Sequence, residues 1–286
     1  MSTTVDLSRE LAAFLRSRRE RLTPADTVLP RHRRARRTPG LRREEVAELA
    51  GVSVDYVVRL EQARGLRPSP EVLDALADAL QLDDDERTYL FDLAQQRPGP
   101  RRRQPRPPEP AAGPLARMAH DLSPLPAMVL NHRLDIVAWN PQMPRLMGLD
   151  FDAIPGPQRN AIWLCIHHPT MRDFYVDREQ IIREGIADLR AAWASRPDDT
   201  GLAALIEELS ADHPDFARFW DERDVRVNAH GRKRVRHPVA GLIEIEFDVL
   251  TPLHDHDQRL VVYRAADTAS QAALATAISS PDGQNG

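Results

Sequence analysis

With 286 residues, 42% of them hydrophobic, the chain can fill two domains with cores of their own, which excludes wholesale disorder. No apolar run approaches the roughly 20 residues needed to span a bilayer, and the start MSTTVDLSRE lacks a signal-type stretch, so the cytoplasm is the expected compartment. A formal net charge of −4 hides ten arginines in the first 37 residues, and one cysteine, Cys165, excludes an internal disulfide or a thiolate metal cluster.

Residues 7–22 predict an amphipathic helix, with Leu7, Leu11, Phe14 and Leu15 on one stripe and Pro24 and Pro30 beyond it. The run RHRRARR (31–37) follows, carrying Arg31, Arg33, Arg34, Arg36 and Arg37 with no acid between them. This is what a polyanion-binding end looks like, a solvated arm being the plain alternative. Lysine is almost absent: Lys233 is the only one, so arginine supplies nearly all positive charge.

After the turn Thr38-Pro39-Gly40 come two short segments, 43–50 and 54–62, meeting at Gly51. Val46, Ala47, Ala50, Val52, Val57 and Leu60 make one apolar seam if the two helices cross steeply there. Gly51 accepts the positive φ of such a turn, Ala47 permits close approach and Ser53 can cap the second helix. The pattern is a helix-turn-helix, whose geometry pushes the second helix out toward a DNA major groove. Ser69-Pro70-Glu71 then starts a fourth helix with Val72, Leu73, Leu76 and Leu80 inward. Residues 83–94 predict a fifth.

From 95 to 114, QQRPGPRRRQPRPPEPAAGP repeats proline at a density no helix or central strand tolerates, which reads as a linker. Beyond it, AMVL (127–130) and LDIVAW (134–139) predict strand, turn and strand. Helical stripes occupy 160–167, 177–195, 201–211 and 215–223. RKRVRHP, GLIEIEFDVL and RLVVYRA return to strands, and the end, ISSPDGQNG, looks frayed. The expected domains are 1–96, a linker 97–114, 115–270 and a flexible tail 271–286. The overall fold class is α+β.

The phrase TPGLRREEVAELAGVSVDYVVRLEQARGLRPSPEVLDALADAL closely resembles an actinobacterial branch of the Xre-type DNA-binding domain, implying the all-α five-helix lambda-repressor-like fold. LDIVAWNP, Arg159-Asn160 and DVR...GRKRVRHPVAGLIEIEFDVL resemble the MmyB-like ligand-binding domain, implying a PAS-like α+β module that takes a fatty acid or similar apolar ligand. The Xre pattern implies that Ser53, Val54, Asp55, Tyr56 and Arg59 face base edges. Arg59 suits guanine, Val54 a thymine methyl, and Asp55 either a cytosine amine or its own helix N-terminus. Arg42 and Arg43 would meet phosphate, with Tyr56 a further phosphate contact. The arm of Arg33, Arg34, Arg36 and Arg37 would enter a minor groove or clamp the backbone.

For the ligand, the resemblance implies Trp139, Asn140, Arg159, Asn160, His237 and Tyr263 as orienting groups. The apolar wall would come from Val129, Leu130, Ile136, Trp139, Leu164, Phe247 and Val262. Arg159 would fork a carboxylate or hold a structural salt bridge. No cofactor or metal is expected: His254 and His256 in the HDHD turn favour a solvated loop, and no phosphate loop, nucleophile elbow or HExxH occurs. The expected protein is no enzyme but a regulator that reads a double-stranded operator as a homodimer, senses a small apolar ligand and needs no membrane. A ligand-free dimerisation or protein-interaction module, or an enzyme with a DNA-binding head, stays open beside it.

Overall fold

In the computed structural model, residues 7–27, 40–94, 113–253 and 257–279 are described. They fall into two compact units that are not contiguous in sequence. Unit 1 takes the chain up to Arg101 together with Arg190–Ala203 and Trp220–Arg226, and unit 2 takes the remainder.

Unit 1 begins with α1 (Leu7–Arg21), α2 (Arg43–Ala50), α3 (Val54–Glu61), α4 (Pro70–Ala79) and α5 (Asp84–Ala94). The stripe read in α1 is its buried face: Leu7, Leu11, Phe14 and Leu15 lie inside, and Phe14 meets Tyr89 of α5 edge to face at 5.0 Å. Gly40 is fixed by sterics as well as by its φ of +96°. A Cβ there would stand 2.8 Å from the Glu20 Cα and 2.9 Å from its carbonyl oxygen, so only glycine lets this turn lie against α1.

The turn at Gly51 has the expected form. Gly51 ends α2 in the left-handed region (φ 65°, ψ 28°), and the Val52 N–H donates to the Ala47 carbonyl at 3.0 Å. Ser53 then caps α3, its Oγ accepting from the Tyr56 N–H at 3.2 Å. Val46, Ala47, Ala50, Val57 and Leu60 are buried along the seam.

Unit 2 is built on β1 (Ala127–Asn131), β2 (Ile136–Trp139), β3 (His230–His237), β4 (Gly241–Leu250) and β5 (Gln258–Ala265). They form an antiparallel sheet in the order β2-β1-β5-β4-β3. The helices of this part of the sequence are α6 (Pro114–Asp121), α7 (Gln142–Met147), α8 (Ala161–His167), α9 (Pro169–Arg172), α10 (Arg178–Ser195), α11 (Thr200–Asp212), α12 (Pro214–Glu222) and α13 (Thr268–Ser279). Parts of α10, α11 and α12 group with unit 1.

Side chains alternate between the two sheet faces. Ala127, Val129, Ala138, Leu260 and Val262 pack with Ala119 of α6 in one apolar cluster. Met128, Leu130, Phe247, Val249, Val261 and Tyr263 line a cavity instead.

Two differences from the sequence expectation stand out. The stretch 271–286, expected to be a flexible tail, is helical through Ser279: α13 buries Ser270, Leu274 and Ala277 and packs on β4, β5 and α7. Its sequence TASQAALATAIS is mostly small residues, so it shows no strong apolar stripe to read. Helix α6 begins at Pro114, where the linker was expected to end, with Pro at its first position.

Candidate DNA-reading surface and ligand cavity

Helix α3 presents the side chains of Ser53, Val54, Asp55 and Arg59 to solvent, with Tyr56 half-buried beside them. Its other side is anchored by a buried carboxylate. Glu61, 3% exposed, accepts from Arg19 Nε at 2.6 Å and from Arg43 Nε at 2.8 Å, while Arg16 donates to the Glu61 carbonyl at 2.9 Å. One residue at the end of α3 therefore ties it to α1 and α2 through charge-assisted hydrogen bonds.

This bears on Arg43, expected at phosphate. Its Nε is engaged with Glu61, although 41% of its side chain stays exposed, so its first structural role is to hold α3. Arg42 is exposed, and its backbone N–H donates to Glu45 Oε2 at 2.7 Å in the first turn of α2. Arg64 and Arg67, just past α3, are also exposed and were not singled out from the sequence. Arg33, Arg34, Arg36 and Arg37 lie outside the described residues.

In unit 2, a cavity of about 110 Å³ lies between the sheet and helices α8 and α10. The sheet contributes the residues named above together with Lys233 and Arg259, and the helices contribute Ile162, Cys165, Ile181, Glu184, Gly185 and Asp188. Room on this scale compares with the roughly 150 Å³ apolar cavity that admits benzene. A second depression of about 230 Å³, lined by Asp177, Gln180, Arg232 and Arg234, shares Ile181, Glu184 and Lys233 with it.

The polar groups of the cavity divide into two kinds. Arg259 and Asp188 satisfy each other, Nη1 donating to Oδ1 at 3.0 Å, and Glu184 accepts from Gln180 at 3.0 Å. Lys233 is different. Its Nζ stands 4.5 Å from the Phe247 ring centroid and 5.7 Å from that of Tyr175, and it has no hydrogen bond or ion pair among the described residues. Burial pushes its pKa down, against the charge of Glu184, which raises it. The phenols of Tyr175 and Tyr263 are pushed well above their ordinary range by burial and remain protonated donors. Burial likewise pushes the Cys165 thiol up to about 11, which keeps it in the thiol form.

The local sequence explains the position of the ammonium. Gly231 sits opposite Phe247 in the β3–β4 ladder, and a Cβ at 231 would come within 2.8 Å of the ring. Phe247 thus lies across the glycine, and Lys233, two residues along the same face of β3, reaches over the ring.

Of the six orienting groups expected from the sequence, Tyr263 lines this cavity and the other five have structural partners. Asn140 is fully buried: its Oδ1 accepts from the Ala127 N–H at 3.1 Å, and its Nδ2 donates to the carbonyls of Ala119 and Leu125 at 3.0 and 2.7 Å. Asn160 caps α8, its Oδ1 accepting from Ile162 and Trp163 at 3.1 Å each. His237 holds the β3–β4 turn: Nδ1 accepts from the N–H groups of Val239 and Ala240, so the proton sits on Nε2 and is donated to the Arg145 carbonyl at 3.0 Å. Trp139 packs edge to face on Phe151 at 5.2 Å under the Arg159 guanidinium, whose Nη2 donates to the Ile154 carbonyl.

Among the expected wall residues, Leu130 and Phe247 line the cavity, whereas Val129 and Val262 face the opposite side of the sheet. Ile136, Trp139 and Leu164 do not line it. Among the lining residues that the sequence reading missed are Lys233, Tyr175, Cys165 and Glu184. Lys233 carried a usable signal, its uniqueness; the others needed the fold to bring them together.

Among the described residues, no group of three or more histidine, cysteine, aspartate or glutamate side chains is placed to hold a metal, and no helix is long and apolar enough to cross a membrane. His254 and His256 lie outside the described residues. Comparison with protein families gives two matches. Residues 111–277 match the model described as the MmyB-like transcription regulator ligand binding domain, and residues 10–90 match a helix-turn-helix domain. No curated protein matches the chain.

Proposed function

Because the chain belongs to the family of the MmyB-like transcription regulator ligand binding domain and carries a helix-turn-helix domain before it, we propose that it is an operator-binding regulator whose cavity senses a small apolar ligand of the fatty-acid type. The match to these two domains supports the coarser statement, a ligand-regulated transcription regulator. The observation that carries the finer reading is the cavity itself: an apolar wall with a few donors at its polar side, in the domain whose family is named for ligand binding. Its size favours a short acyl chain.

On the DNA side, Ser53, Val54, Asp55 and Arg59 are the base-reading set, and Arg42 and the arm of Arg33, Arg34, Arg36 and Arg37 neutralise phosphates. Tyr56 flanks them as a phosphate contact. The protein works in the cytoplasm as a homodimer on a pseudo-palindromic site, since two half-sites double the specific contacts. For the ligand to regulate, it must bind the two DNA-binding states of the protein with different affinity.

The test is to select bound duplexes from random DNA with the full chain and then titrate the best duplex with octanoic acid. The expected result is a discrete sequence motif and an affinity shift of about tenfold, or ~1.4 kcal/mol of coupling. Failure to enrich any motif would remove the operator reading. Octanoic acid bound by native mass spectrometry, with operator affinity unchanged, would remove the sensor reading.

A further inference from the structure

The chain contains 39 basic residues of the lysine and arginine type, and Lys233 is the single lysine among them. Where arginine is the default cation, a lone lysine at a cavity wall invites the question of what an amine does there that a guanidinium cannot. Two things distinguish it: an amine can lose its proton near neutrality, and it is then a nucleophile toward carbonyl carbon.

The surroundings suit that use. The amine has no hydrogen bond or ion pair among the described residues, and its nearest described neighbours by ring geometry are Phe247 and Tyr175. Desolvation lowers its pKa, as it does for lysines that form Schiff bases. Glu184, on the wall shared by the two cavities, is the carboxylate whose charge Lys233 feels most, and it supplies a proton acceptor. The hydroxyls of Tyr175 and Tyr263 have no hydrogen-bond partner among the described residues and are protonated, so each is a donor available to a ligand oxygen. The competing nucleophile of the cavity, Cys165, is held as the thiol.

Resting on the reading of this cavity as a ligand site, we infer that Lys233 captures an apolar aldehyde as a reversible imine, with Tyr175 and Tyr263 as donors to the carbonyl oxygen. The amine lone pair forms the C–N bond, and the carbonyl π electrons move to oxygen, which takes a proton from a tyrosine hydroxyl. Nitrogen gives up a proton to Glu184, which passes it to the carbinolamine hydroxyl. That oxygen leaves as water as the nitrogen lone pair forms the C=N bond, and the remaining nitrogen proton returns to the tyrosine oxygen, restoring both side chains. Amine and aldehyde become imine and one water, with no oxidant or reductant consumed.

The experiment incubates the full chain with octanal at neutral pH, traps any imine with cyanoborohydride, and maps the alkylated residue by peptide mass spectrometry. One octyl group is expected at Lys233, forming about tenfold faster than at the chain's own α-amino group, with that preference lost in Lys233→Arg. Alkylation of Lys233 no faster than the α-amino group, or none at all, overturns the imine. Octanoic acid supplies the separating arm, since it cannot form one. If native mass spectrometry shows it bound while octanal gives no Lys233 adduct, the imine fails and the ligand site stands. If neither compound is taken up, both fail. Circular dichroism of Lys233→Arg guards against a folding artefact, and the mapping in the unaltered chain does not depend on that variant.

Discussion

Glu86 shows how single arginines in this chain acquire meaning only from their partners. Burial by itself would raise the pKa of its carboxyl, but hydrogen bonds from Arg21 at 2.7 and 2.9 Å and the charge of Arg18 at 2.8 Å outweigh it, and the net direction is down. A carboxylate with a folded pKa below its unfolded value of about 4.3 stabilises the fold fully above that value, and the contribution disappears as pH falls through the folded pKa. Replacing Glu86 by Gln should therefore destabilise unit 1 by about 3 kcal/mol at pH 7, because Arg18, itself 3% exposed, loses its partner charge. The difference between variant and parent should shrink below pH 4. Urea unfolding at pH 7 and at pH 3.5 checks this, and a difference that does not depend on pH would contradict the assignment.

At the level of elements, α3 separates two roles that arginine and acid could share. Arg59 is exposed and Glu61 is buried, two positions apart on one helix. Arg59→Ala should leave stability within about 0.5 kcal/mol of the parent and cost about 1–3 kcal/mol of operator binding, with specificity relaxed at one base pair. Glu61→Ala should do the reverse in order of cause: loss of about 3 kcal/mol of stability, with weaker binding following from a loosened helix. Thermal melts beside binding titrations distinguish the two, and an Arg59→Ala protein that melts early would place Arg59 in the scaffold.

The helix-turn-helix was legible because glycine, a small residue, a cap and an apolar seam each demand a fixed place, and all four coincide between Val46 and Leu60. The strand pattern of β4 was equally plain, Ile243, Ile245 and Phe247 alternating with acids. The cavity was not legible. Its residues come from β1, β3, β4, β5, α8, α10 and the segments between them, and asparagine or histidine in a motif says nothing about whether its partner is a ligand or a backbone N–H. Asn140, Asn160 and His237 turned out to be fastenings of the chain to itself.

For the molecule as a whole, the composition of unit 1 matters. Arg190, 1% exposed, belongs to that unit, with Nη1 donating to Glu10 at 2.5 Å and lying 3.3 Å from the Tyr89 hydroxyl; Trp220–Arg226 belongs to it as well, and Arg18 donates to the Arg223 carbonyl. A fragment ending at residue 96 keeps Glu10 and Tyr89 and loses those partners. It should melt earlier than the helix-turn-helix does in the full chain, by about 2 kcal/mol in stability from the lost buried ion pair and packing. Hydrogen exchange of α1 and α5 in fragment and full chain measures this, and equal protection would show that the returning segments contribute nothing.

The interleaving also constrains how such a protein could be recombined. Cutting the gene at its proline-rich stretch and joining the first half to another sensor would transplant Glu10 and Tyr89 without the arginine they were shaped around. The natural seam for swapping heads is therefore not the most obvious one in the sequence. A chimera that respected it would carry residues 190–203 and 220–226 along with the head, even though the 88 positions between Arg101 and Arg190 would be of foreign ancestry.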